Sequence, residues 1–134
     1  MARFITPFTL ALVLLLAACA GQEQHAAPVA TLDDVAREFV TALGSWDEPT
    51  VRRLIIPNAT TEIMIASEGN DWRGWARYPL GPQTSVEITE STVEENRATV
   101  VVRSLHEKGE SGVRLSMLQV DGAWRVESWH SYLP

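Results

Sequence analysis

At Ser85 the chain changes period. Before it, apolar side chains recur at helical spacing; after it, they alternate. A chain of 134 residues with one such switch places helices first and strands last. That order selects an α+β architecture over an alternating α/β one. Four segments of period two follow, over 85–92, 97–105, 113–120 and 123–131. Asp121-Gly122 between the last two is a two-residue hairpin signal. Such a turn sets residues whose numbers sum to 243 opposite each other. One face then pairs Met117 with Val126, Leu115 with Ser128, Gln119 with Trp124 and Val113 with His130. The other pairs Leu118 with Arg125, Ser116 with Glu127 and Arg114 with Trp129, the last suited to a cation–π contact. The first face is mostly apolar and must be covered by helices.

Two helices precede the switch. Thr31 followed by Asp34 fits a capping box. Leu32, Val35, Ala36, Phe39, Val40 and Leu43 then share one helical face, and Gly44 is a natural stop. Asp33, Asp34 and Glu38 are acids of the early turns, where the helix dipole favours them. Asp47-Glu48-Pro49 opens a shorter helix with Val51, Leu54 and Ile55 inward and Pro57 at its end. Residues 60–66 suit either a short helix or a strand. Residues 68–82, EGNDWRGWARYPLGP, read as a long loop or lid.

The amino-terminal segment is of another kind. Arg3 precedes a nearly unbroken apolar run over 8–16, then the small residues Ala17-Ala18 and the sole cysteine, Cys19. This is secretory-signal architecture, and the run is shorter than the roughly 20 residues that span a bilayer. Leu16-Ala17-Ala18-Cys19 resembles a bacterial lipobox. The resemblance implies cleavage after residue 18, lipidation of Cys19 and anchoring by two or three acyl chains. Ala20 at the second mature position implies outer-membrane sorting in a host that has an outer membrane. Residues 19–30, small and polar with His25 among them, read as the lipidated cysteine and a flexible tether, which leaves 31–134 as one domain. Eleven Lys and Arg against 17 Asp and Glu give a net charge of −6, or −7 without residues 1–18. That balance argues against nucleic acid as a partner. One cysteine excludes an intrachain disulfide and any multi-cysteine zinc site.

Helices, a variable middle and a meander ending in a DG hairpin resemble the nuclear-transport-factor-2-like superfamily. The resemblance rests on VAREFVTAL at 35–43, RATVVV at 97–102 and QVDGAWRV at 119–126. It is similar to small lipoproteins that carry such domains. It implies N-terminal helices packed on a curved antiparallel sheet, a cone with a pocket at its open end. Phe39, Met117, Trp124 and His130 fall where such a pocket would be lined. Trp72, Arg73, Trp75, Arg77 and Tyr78 form the most unusual local composition, suited to a lid or to a partner hot spot.

Catalytic chemistry is harder to place. Isomerases of this fold use a carboxylate base with Tyr and Asp oxyanion donors, and the 31–43 helix has no Tyr. His130, with Ser128 and Asp71, is the weak candidate for a base. His106 beside Glu107 and Glu110 reads as a polar hairpin loop, and neither a metal nor another cofactor is expected. The expectation is therefore a lipid-anchored, non-enzymatic module that binds an envelope protein or a small apolar ligand. An isomerase-, cyclase- or dehydratase-type enzyme and a structural subunit of an envelope assembly are the alternatives.

Overall fold

The computed structural model describes residues 29–75 and 80–133, with only the backbone of 69–75. Cys19, the lipobox and the tether up to residue 28 lie outside the described residues. The elements in order are α1 (Leu32–Ser45), α2 (Glu48–Leu54), α3 (Ala59–Trp75), β1 (Gln83–Glu94), β2 (Arg97–His106), β3 (Gly109–Val120) and β4 (Ala123–Tyr132). The sheet is an antiparallel meander in the order β1-β2-β3-β4. Helices on one face of such a sheet make the α+β fold expected from the change of period.

α1 opens on the capping box. The Asp34 amide donates to Thr31 Oγ1 at 3.2 Å, and the Thr31 amide donates to Asp34 Oδ2 at 3.1 Å. The helix does not stop at Gly44; it runs to Ser45, and Trp46 takes the left-handed conformation at φ 50°. Gly44 serves packing instead. A Cβ there would lie 2.6 Å from the Gln83 carboxamide, so the missing side chain lets α1 approach β1. Asp47 caps α2 through the Thr50 amide, with Pro49 in the first turn. The chain leaving α2 then joins the sheet edge: Ile55 bridges Val126 in parallel, and the Ile56 amide donates to the Val126 carbonyl at 2.9 Å.

The middle of the chain is a helix as far as Trp75, not a loop or lid from residue 68. Asn58 starts it, accepting from the Thr61 amide at 2.9 Å, and the buried Thr61 hydroxyl donates to the Ile56 carbonyl at 2.8 Å. Gly69 and Gly74 are the reason it reads as a loop. Each costs about 1 kcal/mol against Ala in a helix, which an anchored helix can absorb, and the first proline after Pro57 is Pro79. The anchor is Ile65, buried, and Glu68, bonded to β4.

The DG turn forms as expected, with Asp121 at φ 51° and Gly122 at φ 78°. From it the 243 pairing holds as far as Met117 opposite Val126. There the register shifts by one, and Glu127 is the unpaired, bulged residue. Beyond the bulge Leu115 faces Trp129 rather than Ser128, Val113 faces Ser131 rather than His130, and Arg114 faces His130 rather than Trp129. Ser116 faces Ser128 rather than Glu127. The slip turns Trp129 inward, where it is 4% exposed and meets Phe39 edge to face at 5.1 Å. No cation–π contact between Arg114 and Trp129 on the outer face is then available. Phe39, Val40, Val51, Val100, Val102, Leu115, Met117 and Val126 are fully buried between helices and sheet.

Candidate functional site

The inner sheet face is apolar along most of its length and turns polar at one end. In β2 the inward positions run Ala98, Val100, Val102, Ser104, His106, and in β3 they run Met117, Leu115, Val113, Ser111. The alternation that builds the core thus delivers two serines and a histidine to the end of the sheet beside the C-terminal half of α1. Gln83 Nε2 donates to Ser104 Oγ at 2.5 Å and reaches the Val40 carbonyl at 3.4 Å. His106 Nε2 lies 3.2 Å from Ser104 Oγ and 3.1 Å from Ser111 Oγ. Its Nδ1 lies 3.2 Å from the Gly81 carbonyl. A carbonyl only accepts, so Nδ1 carries a proton and donates to it; in the tautomer protonated there alone, Nε2 accepts from a serine hydroxyl. Ser104 and Ser111 are 2% and 6% exposed, and both hydroxyls lie within hydrogen-bond distance of that one nitrogen, Ser104 also accepting from Gln83. On the β4 side, Trp129 Nε1 donates to Glu68 Oε1 at 3.2 Å and the Ser131 hydroxyl does so at 3.5 Å.

The residues singled out from sequence distribute differently. Phe39 and Met117 are sealed in the core, so they supply packing and no ligand surface. Trp124 is half-buried against the same core. His130 is exposed on the outer face, opposite Arg114, with its ring stacked on Tyr132 at 6.3 Å. It therefore does not share a face with Phe39 and Met117, and the one-residue slip at Glu127 is the cause. Ser128 is on the outer face too, and Asp71 belongs to α3. Trp72, Arg73 and Trp75 lie on the last turns of α3 rather than in a loop, whereas Arg77 and Tyr78 fall outside the described residues. The His106 cluster is what sequence reading missed. Its signal was Ser104 and His106 two apart on one strand, with Ser111 just beyond the hairpin.

The outer face holds a second feature. A depression of about 110 Å³ is lined by Thr89, Val101, Arg103, Glu110, Gly112 and Tyr132. Its floor is Val101, only 8% exposed on an otherwise wet face, and the Gly112 backbone. The Tyr132 ring lies over Gly112, where a Cβ would come within 2.3 Å of it. Thr89 is the bulged residue of β1, and its hydroxyl donates to the Val101 carbonyl at 3.3 Å. Arg103 is paired with Glu87 at 2.6 Å and Glu110 at 3.6 Å. The Glu87 hydrogen bond, then the charges of Glu87 and Glu110, raise its pKa further above the ordinary guanidinium value. Among the described residues no group of three or more His, Cys, Asp or Glu could hold a metal ion, and no helix is long and apolar enough to cross a membrane.

This arrangement of helices on a four-stranded meander has a solved counterpart. A Campylobacter jejuni protein provisionally named an NTF2-like transpeptidase aligns with a TM-score of 0.60 over 72% of this chain and 96% of that one, at 18% identity. The fold is NTF2-like. No family model matches the sequence, and no curated protein matches it. At that identity the likeness shows the NTF2-like fold alone, and what the site does has to come from its own residues.

Proposed function

We propose that the chain is a lipid-anchored envelope protein whose NTF2-like domain is a non-enzymatic module for binding a protein or small ligand. One observation carries the reading. His130, the best base the sequence offered, points to solvent on the outer face, away from the polar end of the inner face. The lipid anchor rests on Leu16-Ala17-Ala18-Cys19 and its place after the apolar run. Native mass spectrometry of the mature chain, released gently from its host's membranes, tests both parts. A reproducible bound mass together with acyl mass on Cys19 is the expected result. A bare, unlipidated monomer in repeated preparations overturns it.

A second reading is enzymatic, and one contact favours it. Ser111 Oγ, His106 Nε2 and the Gly81 carbonyl at the far side of the ring stand as nucleophile, base and orienting group. Acyl transfer, the chemistry in the neighbour's name, would use such a set. Covalent labelling of Ser111 by a fluorophosphonate probe, lost in His106→Gln, would support it; an unlabelled Ser111 in folded protein would remove it.

A further inference from the structure

Two cations of the outer sheet face meet no carboxylate among the described residues, and one of them, Arg125, donates instead to the Arg53 carbonyl at 2.6 Å. Arg97 pairs with Glu127, and Arg103 with Glu87 and Glu110, whereas Arg114 meets no acid among the described residues. It sits opposite His130, whose ring stacks on Tyr132. An exposed guanidinium beside an imidazole and without a carboxylate is a place for an incoming anion, even on a chain of net charge −6. The depression at Gly112 lies one same-face position along β3 from Arg114. That step is about 6.6–6.8 Å in any extended chain. A peptide laid along the sheet face repeats at the same interval. Its carboxylate at one position can reach Arg114 while the side chain two positions away enters the depression. The space, about 110 Å³, is open to solvent and has room for one aliphatic side chain. Its floor is the aliphatic Val101, and its wall is the Tyr132 ring, 37% exposed.

We propose that this face binds an extended acidic peptide segment, with Arg114 taking an Asp or Glu carboxylate and the depression between Gly112 and Tyr132 taking an apolar side chain two residues away. The proposal rests on the binding-module reading and gives that module a face and a ligand class. Tyr and Arg are enriched among the residues that dominate interfaces. Alternate side chains of an extended segment fall on one side of it, so two of them can reach the same sheet face.

The test uses the mature chain from residue 19, in detergent micelles, and an end-blocked, fluorescein-labelled peptide with a Leu-Ser-Glu centre and Gly-Ser flanks. Fluorescence anisotropy should show saturable binding. Replacing the peptide's Glu by Gln, or Arg114→Gln in the protein, should each weaken it about tenfold or more. The two changes together should weaken it little further, because they remove one shared contact. Tyr132→Ala should weaken the Leu peptide about tenfold and hardly change an Ala-Ser-Glu peptide. Arg114 is exposed, so its variant keeps the fold, which circular dichroism verifies. Absence of binding at millimolar peptide overturns the proposal, as does equal binding of the Gln peptide or indifference to Arg114→Gln. Arg114-dependent binding of a uronic-acid oligosaccharide in place of the peptide also overturns it, in favour of a glycan. A bound partner mass in native spectra alongside a failed peptide titration sinks this proposal alone, whereas a bare monomer in those spectra sinks the module reading.

Discussion

Phe39→Ala tests how α1 is seated on the sheet. Phe39 is fully buried on the middle of the helix, and its ring meets the edge of Trp129 across the core at 5.1 Å. Truncation to Ala removes the transfer free energy of the ring and leaves a cavity, together about 3–5 kcal/mol. Within that sum the edge-to-face contact accounts for about 0.5–1.5 kcal/mol. A domain of this size has about 5–15 kcal/mol in all, so the variant is left near the threshold of folding. With a urea m-value of about 1–2 kcal/mol/M, the midpoint should fall by roughly 1.5–5 M. Phe39→Leu keeps most of the volume and should cost less than about 1.5 kcal/mol. The assay is urea unfolding followed by tryptophan fluorescence, with far-ultraviolet circular dichroism as a second probe. A midpoint lowered by less than about 0.5 M in Phe39→Ala, at unchanged m, would refute the reasoning. It would mean that α1 does not press this ring into the sheet and that Trp129 is not turned inward.

Three further outcomes follow from local geometry. Gly122→Ala meets nothing within 4 Å, yet it puts a side chain at φ 78°; it should cost about 1 kcal/mol or more by urea unfolding, all of it from backbone strain. Hydrogen bonds to Thr31 hold the Asp34 carboxyl below its ordinary 3.8, so its stabilisation is present above that value and is lost as pH falls through the folded-state pKa. Thr31→Val should therefore shallow the acid limb of a melting-temperature profile, and an unchanged limb would contradict the capping argument. His106→Ala takes the ring from two nearly buried serines, of which Ser104 keeps Gln83. The loss should be about 1–3 kcal/mol in thermal unfolding, partly restored by His106→Gln.

Periodicity and turn chemistry were the legible part of this chain. Leu32, Val35, Phe39 and Val40 lie inward on α1 as their spacing requires, and Asp121-Gly122 turns the last hairpin. Both are local properties, fixed by residues within one turn of each other. The bulge at Glu127 was not legible, because it is decided by what the strand must bury. Keeping the 243 pairing would have left Trp129 in water and His130 inside; slipping by one residue buries an indole instead. The continuation of α3 was hidden by two glycines, which lower helix propensity without deciding against a helix tied down by Ile65 and Glu68. From sequence His106 reads as the start of a loop, although Ser104 two residues earlier shares its face.

The two bulges explain why the candidate sites lie where they do. A regular meander repeats every second residue, so one face would be apolar throughout and the other polar throughout. At Glu127 the extra residue sends Trp129 into the core and leaves His130, Tyr132 and Arg114 together on the outer face. At Thr89 the extra residue on β1 lies over Val101 and becomes one wall of the depression. Neither feature can be produced by side-chain substitution on an unbulged ladder, because each needs a change of face within a strand. The inner face then serves stability along most of its length, and its polar end is held by hydrogen bonds among its own residues. The outer face has the opposite character: its central guanidinium has no carboxylate among the described residues, and its tyrosine stacks on His130 and covers Gly112. Arg114 can therefore gain a carboxylate only from outside the described residues, which is the contact proposed for the peptide.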